Sequence, residues 1–210
     1  MSFSFLFTIF VVTITKLMKG RPNIFRDQEI ILKAQDIFWK KGYNATTLSD
    51  ISKATGAGAG TLYHTFKGGK KELFKRSLLQ RKADLNNFKT AIENSEDPIE
   101  LIKEFFINVA TESKDDHFRG CIVANTIVEM TFVDEELENE AIDILKETER
   151  LYTNTILEEQ KKGTLKSEIE ASVLGRYLIT VWCGINSLRR VYPNKEILRI
   201  QIELQLKLIN

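Results

Sequence analysis

Thr46, Thr47, Thr61, Tyr63, His64 and Thr65, with Lys70 and Lys71 close behind, gather hydrogen-bonding and cationic side chains into one short stretch. Hydroxyls and backbone N–H groups at helix starts, backed by ammonium groups, hold phosphate oxygens. Nothing at this spacing pairs a nucleophile with a base. Elsewhere the chain has no Gly-rich phosphate loop, no HExxH, no GxSxG and no paired acid and base in a supporting context. The acidic run from Asp134 to Glu140 has the composition of a metal cluster, but carboxylates at a helix start more often complement its dipole. His64 and His117 are the only histidines, and Cys121 and Cys183 the only cysteines, without metal-ligand spacing. No metal, no cofactor and no enzyme activity is therefore expected. Two lone thiols fit a reducing cytoplasm.

Small helices must position these groups. Ile30, Ile31, Ala34, Ile37 and Phe38 share one face of a helix that Gly42 stops. Thr47 opens the next, with Asp50 three residues on as a variant capping box, and Gly56 closes it. A third helix holds Thr61 to Phe66. Phe38, Ile51, Ala54, Leu62 and Phe66 are spaced to pack the three together, with Ile51 and Ala54 facing inward. Two helices joined by a tight turn, followed by a basic segment, are the outline of a helix-turn-helix that seats its second helix in a DNA groove.

Charge supports a polyanion partner. Residues 1–90 carry 16 Lys/Arg against 6 Asp/Glu, a net of +10, and residues 91–210 carry 14 against 23, a net of −9, within an overall +1.

The apolar run at residues 3–14 is short of the roughly 20 residues of a membrane span, and it lacks the flanks of a signal peptide. Residues 1–20 read as an over-extended start with Met18 as the natural one, a membrane tether being the less favoured alternative, and a membrane partner is not expected. Downstream, a long helix should run from Lys70 to Glu93, another from Asp97-Pro98, one from near Gly120, and one from Asp134 to a stop at Gly163. Ser167 or Glu168 should open the next, reaching Arg190, and Asn194 should cap the last. The alternation of Ile200, Ile202, Leu204, Leu206 and Leu208 would suit a strand, but with no partner strand a helix is expected. His117, beside Asp115 and Asp116, reads as a surface-loop residue.

Gly42-Tyr43, Thr46-Thr47, Asp50-Ile51, Gly56, the run Gly60 to Tyr63, Phe66 and the run Lys71 to Phe74 resemble the N-terminal signature of the TetR/AcrR family of bacterial transcriptional regulators. The resemblance implies an all-α protein of about nine helices. It divides into a helix-turn-helix DNA-binding domain at 21–70 and a ligand-binding and dimerisation domain at 71–210. It further implies a homodimer on a near-palindromic double-stranded DNA operator, repressing until a small-molecule effector releases it. Its DNA-contact positions fall here on Thr46, Thr47, Gly58, Ala59, Gly60, Thr61, Tyr63, His64, Thr65, Lys70 and Lys71. Two departures stand out: Thr65 replaces the usual His or Tyr, and Gly58 and Ala59 replace polar or basic residues. Base reading then rests on Thr61, Tyr63, His64, the Ala59 methyl and DNA shape.

For an effector cavity the candidates are Phe105, Phe106, Val109 and Cys121, with Met130, Tyr152, Tyr177 and Trp182, favouring an apolar or amphipathic ligand. The dimer interface is expected on Leu174, Leu178, Val181, Ile185 and Leu188, continuing through Ile197, Ile200, Leu204 and Leu208. Gly175, Gly184 and Ser187 would permit close packing there. The alternative reading is a helical ligand-binding or adaptor protein that has lost specific DNA binding.

Overall fold

The computed structural model describes residues 22–210, with side chains from Asp27 onward, so the expectations for residues 1–20 lie outside the described residues. Among the described residues there are ten α-helices and no strand. The first four are α1 (Pro22–Lys41), α2 (Leu48–Thr55), α3 (Ala59–Thr65) and α4 (Gly69–Glu93). Then come α5 (Pro98–Asn108), α6 (Lys114–Arg119), α7 (Ile122–Met130) and α8 (Glu135–Lys162). The chain closes with α9 (Ala171–Leu188) and α10 (Lys195–Gln205), the latter running into a 3₁₀ turn, Leu206–Ile209.

Helix ends follow local chemistry. Asp97, Asp134 and Asn194 each cap the next helix by accepting a backbone N–H, from Glu100, Leu137 and Ile197 respectively. Gly163 terminates α8 in the left-handed region (φ 75°) that only glycine enters cheaply. One boundary departs from expectation. The helix foreseen from 167 or 168 begins only at Ala171, because the Gln160 amide donates to the carbonyls of Ser167 (2.7 Å) and Ile169 (2.8 Å) and holds that segment out of helix. The stretch before Gly120 is likewise a helix, α6, and its His117 is buried instead of lying in a surface loop.

Two hydrophobic cores result. The first is built on Phe38, Ile51, Leu62, Phe66 and Phe74, with Phe38 edge-on to Phe74 at 4.8 Å. Ala57 joins it, whereas Ala54, expected inside, is exposed. This core is not confined to the helix-turn-helix. It takes in Ile122, Val123 and Met130 of α7 and Leu137, Ala141 and Ile144 of α8. The second core joins α5, α9, α10 and the later part of α8, through Phe106, Tyr152, Ile156, Leu178 and Ile202. At about 1.5 Å per residue α8 is long enough to thread both. Gly175 sits where α9 presses on α8: a Cβ there would fall 2.1 Å from Thr153 Oγ1. Its small size therefore serves packing within the chain, not the dimer contact foreseen for it.

Candidate nucleic-acid interface and its cavity

Local hydrogen bonding builds the helix-turn-helix. The Asp50 N–H donates to Thr47 Oγ1 (3.1 Å) and the Thr47 N–H to Asp50 Oδ2 (2.9 Å), a complete capping box. These bonds, led by the Thr47 backbone and aided by the Lys41 ammonium at 2.9 Å, hold the Asp50 carboxyl well below the usual carboxylate range. Gly56 ends α2 at φ 71°, and the Ser52 hydroxyl closes the turn by donating to the Ala57 carbonyl (2.7 Å). Helix α3 is then pinned by Leu62 and Phe66, and the opposite face is bare. Gly58, Ala59, Gly60, Tyr63 and His64 are exposed, with Thr61 and Thr65 partly so. A Cβ on Gly58 or Gly60 would meet nothing within 4 Å, so the fold does not require glycine at either position. What these glycines permit is close approach of the α3 backbone to another molecule.

Four expected phosphate contacts are engaged within the chain, among them the exposed Thr47, whose hydroxyl donates to Asp50 Oδ2 (2.8 Å). Thr46 is buried, its hydroxyl donating to the Gly42 carbonyl (2.6 Å). The Lys70 ammonium donates to the carbonyls of Tyr43 and Thr46, each at 3.0 Å, and lies 4.1 Å from the centre of the Tyr43 ring. Lys71 pairs with Asp134 and Glu136, both at 2.8 Å, and its ammonium is pushed above its ordinary range by those bonds. Lys75 pairs with Glu136 and Glu140, and Lys82 with Glu147. Hydrogen bonds from Lys71 and Lys75 hold Glu136 at about 2. The acidic run is thus one side of a ladder between α4 and α8, and part of the basic excess is answered inside the chain. Among the described residues no group of His, Cys, Asp and Glu is arranged to hold a metal. The lysines left exposed beside α3, without an ion pair among the described residues, are Lys53 and Lys67. Lys53 was not foreseen, because a lone lysine on a short helix carries no signal of its own.

The turn before α2 is held from a distance. Glu129, near the end of α7, accepts from the backbone N–H groups of Tyr43 (2.9 Å) and Asn44 (2.7 Å). Gly42, at φ 80°, leaves the room this needs: a Cβ there would lie 2.9 Å from the carboxylate. No sequence pattern announces this clamp, which joins positions more than eighty residues apart.

Residues 30–76 match the family described as bacterial regulatory proteins, tetR family, and residues 98–203 match the tetracyclin repressor-like C-terminal domain. The chain belongs to the TetR family. It is 25% identical over 172 residues to the HTH-type transcriptional repressor DhaR of Mycobacterium sp. (strain GP1), covering 80% of this chain and 84% of that one. Against the repressor ComR of Escherichia coli (strain K12) it is 28% identical over 176 residues, covering 81% and 82%. Among solved structures, a TetR-family regulator from Cytophaga hutchinsonii superposes with a TM-score of 0.77 at 17% identity, covering 91% and 96%. A cysteine mutant of the TetR-family regulator CifR, complexed with 26-base-pair operator DNA, superposes at 0.73 and 22% identity, covering 91% and 100%.

In this TetR-family chain a cavity of about 230 Å³ opens where the two cores meet. Phe105, Cys121, Tyr152 and Trp182 of the expected set line it. Phe106, Val109 and Met130 do not, because they are packed into the cores, and Tyr177 is turned aside to donate its hydroxyl to the Gln205 carbonyl (3.0 Å). The polar part of the wall, Arg81, Asp84, Glu112, Arg119, Asn186 and Arg189, carries no signal in the sequence. Nor does Trp39 of α1, which lines the wall and donates its indole N–H to the Gly120 carbonyl (3.0 Å). The guanidinium groups of Arg81 and Arg119 lie 5.0 and 5.9 Å from the Trp39 ring, and Arg119 also reaches Asp36 of α1 at 2.9 Å. Burial raises the Asp84 and Glu112 carboxyls, and it pushes the Cys183 thiol up to about 11, away from a reactive thiolate.

The expected interface divides. Leu174, Leu178, Val181 and Ile185 are buried in the second core, so they face their own chain. Leu188, Ile197, Ile200, Leu204 and Leu208 are between 43% and 62% exposed, and Ile197, Ile200, Leu204 and Leu208 recur at helical spacing along the final segment. Gly184 and Ser187 lie exposed on α9. No described helix is long and apolar enough to cross a membrane.

Proposed function

We propose that the protein is a homodimeric repressor that seats paired α3 helices in the major groove at the two half-sites of a near-palindromic operator. A small apolar or amphipathic effector in the cavity releases it. The observation that carries this reading is the position of the cavity. One wall is Trp39 of α1, and another is the start of α7, whose far end carries the Glu129 clamp on the turn before α2. A ligand that displaces either wall alters the support of the DNA-binding helices directly.

Thr47, the α3 backbone from Gly58 to Thr61, Tyr63, His64 and Thr65 form the proposed DNA face, with Lys53 and Lys67 at its edges. Thr46, Lys70 and Lys71 shape that face from behind. With few side chains to read base edges, discrimination among sequences is modest and phosphate contacts make binding steeply salt-dependent. The dimer forms through the exposed apolar stripe of α10 and the adjoining exposed face of α9, an area too apolar to leave in water.

Gel shift on the DNA upstream of its own coding sequence, with sedimentation of the free protein, tests the reading. A dimer that shifts this DNA, with affinity falling steeply as salt rises, is the expected result. A monomer at micromolar concentration overturns it, and so does sharp discrimination at every operator base with a shallow salt slope.

A further inference from the structure

The cavity has a chemical bias that narrows its ligand. Along α9, Ile179, Trp182 and Asn186, followed by the C-cap Arg189, recur at helical spacing and line it together. Asn186 and Arg189 are 2% and 3% exposed. Each retains a buried polar atom without a hydrogen-bond partner, an acceptor in Asn186 Oδ1 and a donor in Arg189 Nε–H; Arg81 Nε, Asp84 Oδ2 and Arg119 Nε of the same lining also lack one, but they belong to α4 and α6. The rest of each group is committed: the Asn186 amide donates to the Trp182 carbonyl (2.9 Å), and the Arg189 guanidinium is paired with Glu112. Buried polar atoms left unpaired cost about 1–3 kcal/mol each, and natural proteins seldom carry them without a use.

The two residues are three apart on one side of the helix, so a single ligand oxygen that both accepts and donates could serve both atoms, and among ligand groups that oxygen is a hydroxyl. A carbonyl would leave Asn186 unanswered, and an ammonium would leave Arg189 unanswered. The charges on the wall are balanced already, with Arg81, Arg119 and Arg189 facing Asp84, Glu112 and Asp116. An added ionic group would be buried with no free counter-charge. Beyond the polar end, Phe105 stacks on Trp182 at 5.0 Å and meets Phe88 at 4.8 Å, and this cluster gives the cavity an aromatic wall against which a flat apolar body can pack.

We propose that the cavity takes a small uncharged phenol, its ring against Phe105 and Trp182 and its hydroxyl bridging Arg189 Nε–H to Asn186 Oδ1. The ligand class rests on the reading of this cavity as the effector site, but its test does not involve DNA. The chain has two tryptophans, Trp39 and Trp182, and both line the cavity, so intrinsic fluorescence reports occupancy. Titrating the full chain with p-cresol, toluene, 4-methylbenzoate and 4-methylbenzylamine compares one ring with four ends.

The expected result is p-cresol binding at least about tenfold more tightly than toluene and more tightly than either ion, with Asn186→Leu cutting the p-cresol advantage to about threefold or less. Toluene equal to p-cresol would mean that water alone serves the two polar atoms, and the proposal fails. It fails equally if either ion binds more tightly than p-cresol, or if no compound alters the fluorescence at millimolar concentration. Each failure leaves the operator-binding reading standing. A chain that binds p-cresol as expected but shifts no DNA would leave the ligand class standing and remove the regulator.

Discussion

The two hydrophobic cores differ in what they hold. The second, around Phe106, Tyr152 and Leu178, joins the helices of the larger domain to one another. The first, around Phe38, Phe66 and Phe74, joins the DNA-binding helices to α7 and the early turns of α8. The helix-turn-helix is therefore not an appendage on a linker, since its core continues into the domain expected to bind the effector. The cavity lies at the seam and draws walls from both cores. Communication between ligand and DNA then needs no extended chain of residues, only a change at a boundary that both regions share.

The largest expected effect comes from the first core. Phe74→Ala removes a fully buried ring and should cost about 3–5 kcal/mol. Because α8 threads both cores, thermal unfolding should remain a single transition. Two separate transitions would break the comparison by showing that the cores melt independently. Next comes the clamp. Glu129→Ala leaves the Tyr43 and Asn44 N–H groups without their carboxylate and should lower stability by about 1–3 kcal/mol. Operator affinity should fall with it, read by fluorescence anisotropy at fixed salt. Unchanged affinity would mean that α7 does not support the DNA-binding turn.

Gly60→Ala should move the two properties in opposite directions. The fold gains about 0.5–1 kcal/mol from the better helix former, since no atom stands in the way of the new Cβ. Operator affinity drops if the α3 backbone seats against DNA, and an undiminished affinity would remove the glycines from the interface.

The smallest effect concerns His117. Burial, with the neighbouring charges of Arg189 and Lys195, lowers its imidazole below the ordinary 6.5. The unfolded chain then binds the proton more readily, so this contribution is intact above pH 6.5 and is lost as pH falls from there through the lowered folded value. His117→Gln should lose less stability than the native chain between pH 7 and pH 5, as measured by chemical denaturation. Parallel losses would contradict the assignment.

Local signals were legible in the sequence, and distant ones were not. Asp97, Asp134, Asn194, Gly56 and Gly163 act within a few residues of themselves, and each ends or opens a helix as its type dictates. The exposed face of α3 was legible for the same reason, with Leu62 and Phe66 turned inward. Lys70 and Lys71 looked free because their partners are not in view along the chain: Tyr43 and Thr46 more than twenty residues back, Asp134 and Glu136 more than sixty residues on. On α9 the apolar residues occupy more than one face, so periodicity alone could not separate Leu178, which is core, from Leu188, which is exposed. Trp39 carries no signal of its own in the sequence, and only the fold brings it to the cavity. The gap between 164 and 170 turned on one side chain, Gln160, whose reach to two carbonyls leaves no trace in propensity.

The central claim is that occupancy of the seam sets the grip on DNA. It is tested most directly by titrating operator DNA with the protein, first alone and then with whichever ring compound saturates the tryptophan signal. The account predicts an operator affinity weakened by roughly 5- to 150-fold, and a ligand affinity weakened by the same factor when operator is bound, because linkage is reciprocal. A saturated fluorescence signal with unchanged operator affinity would contradict it.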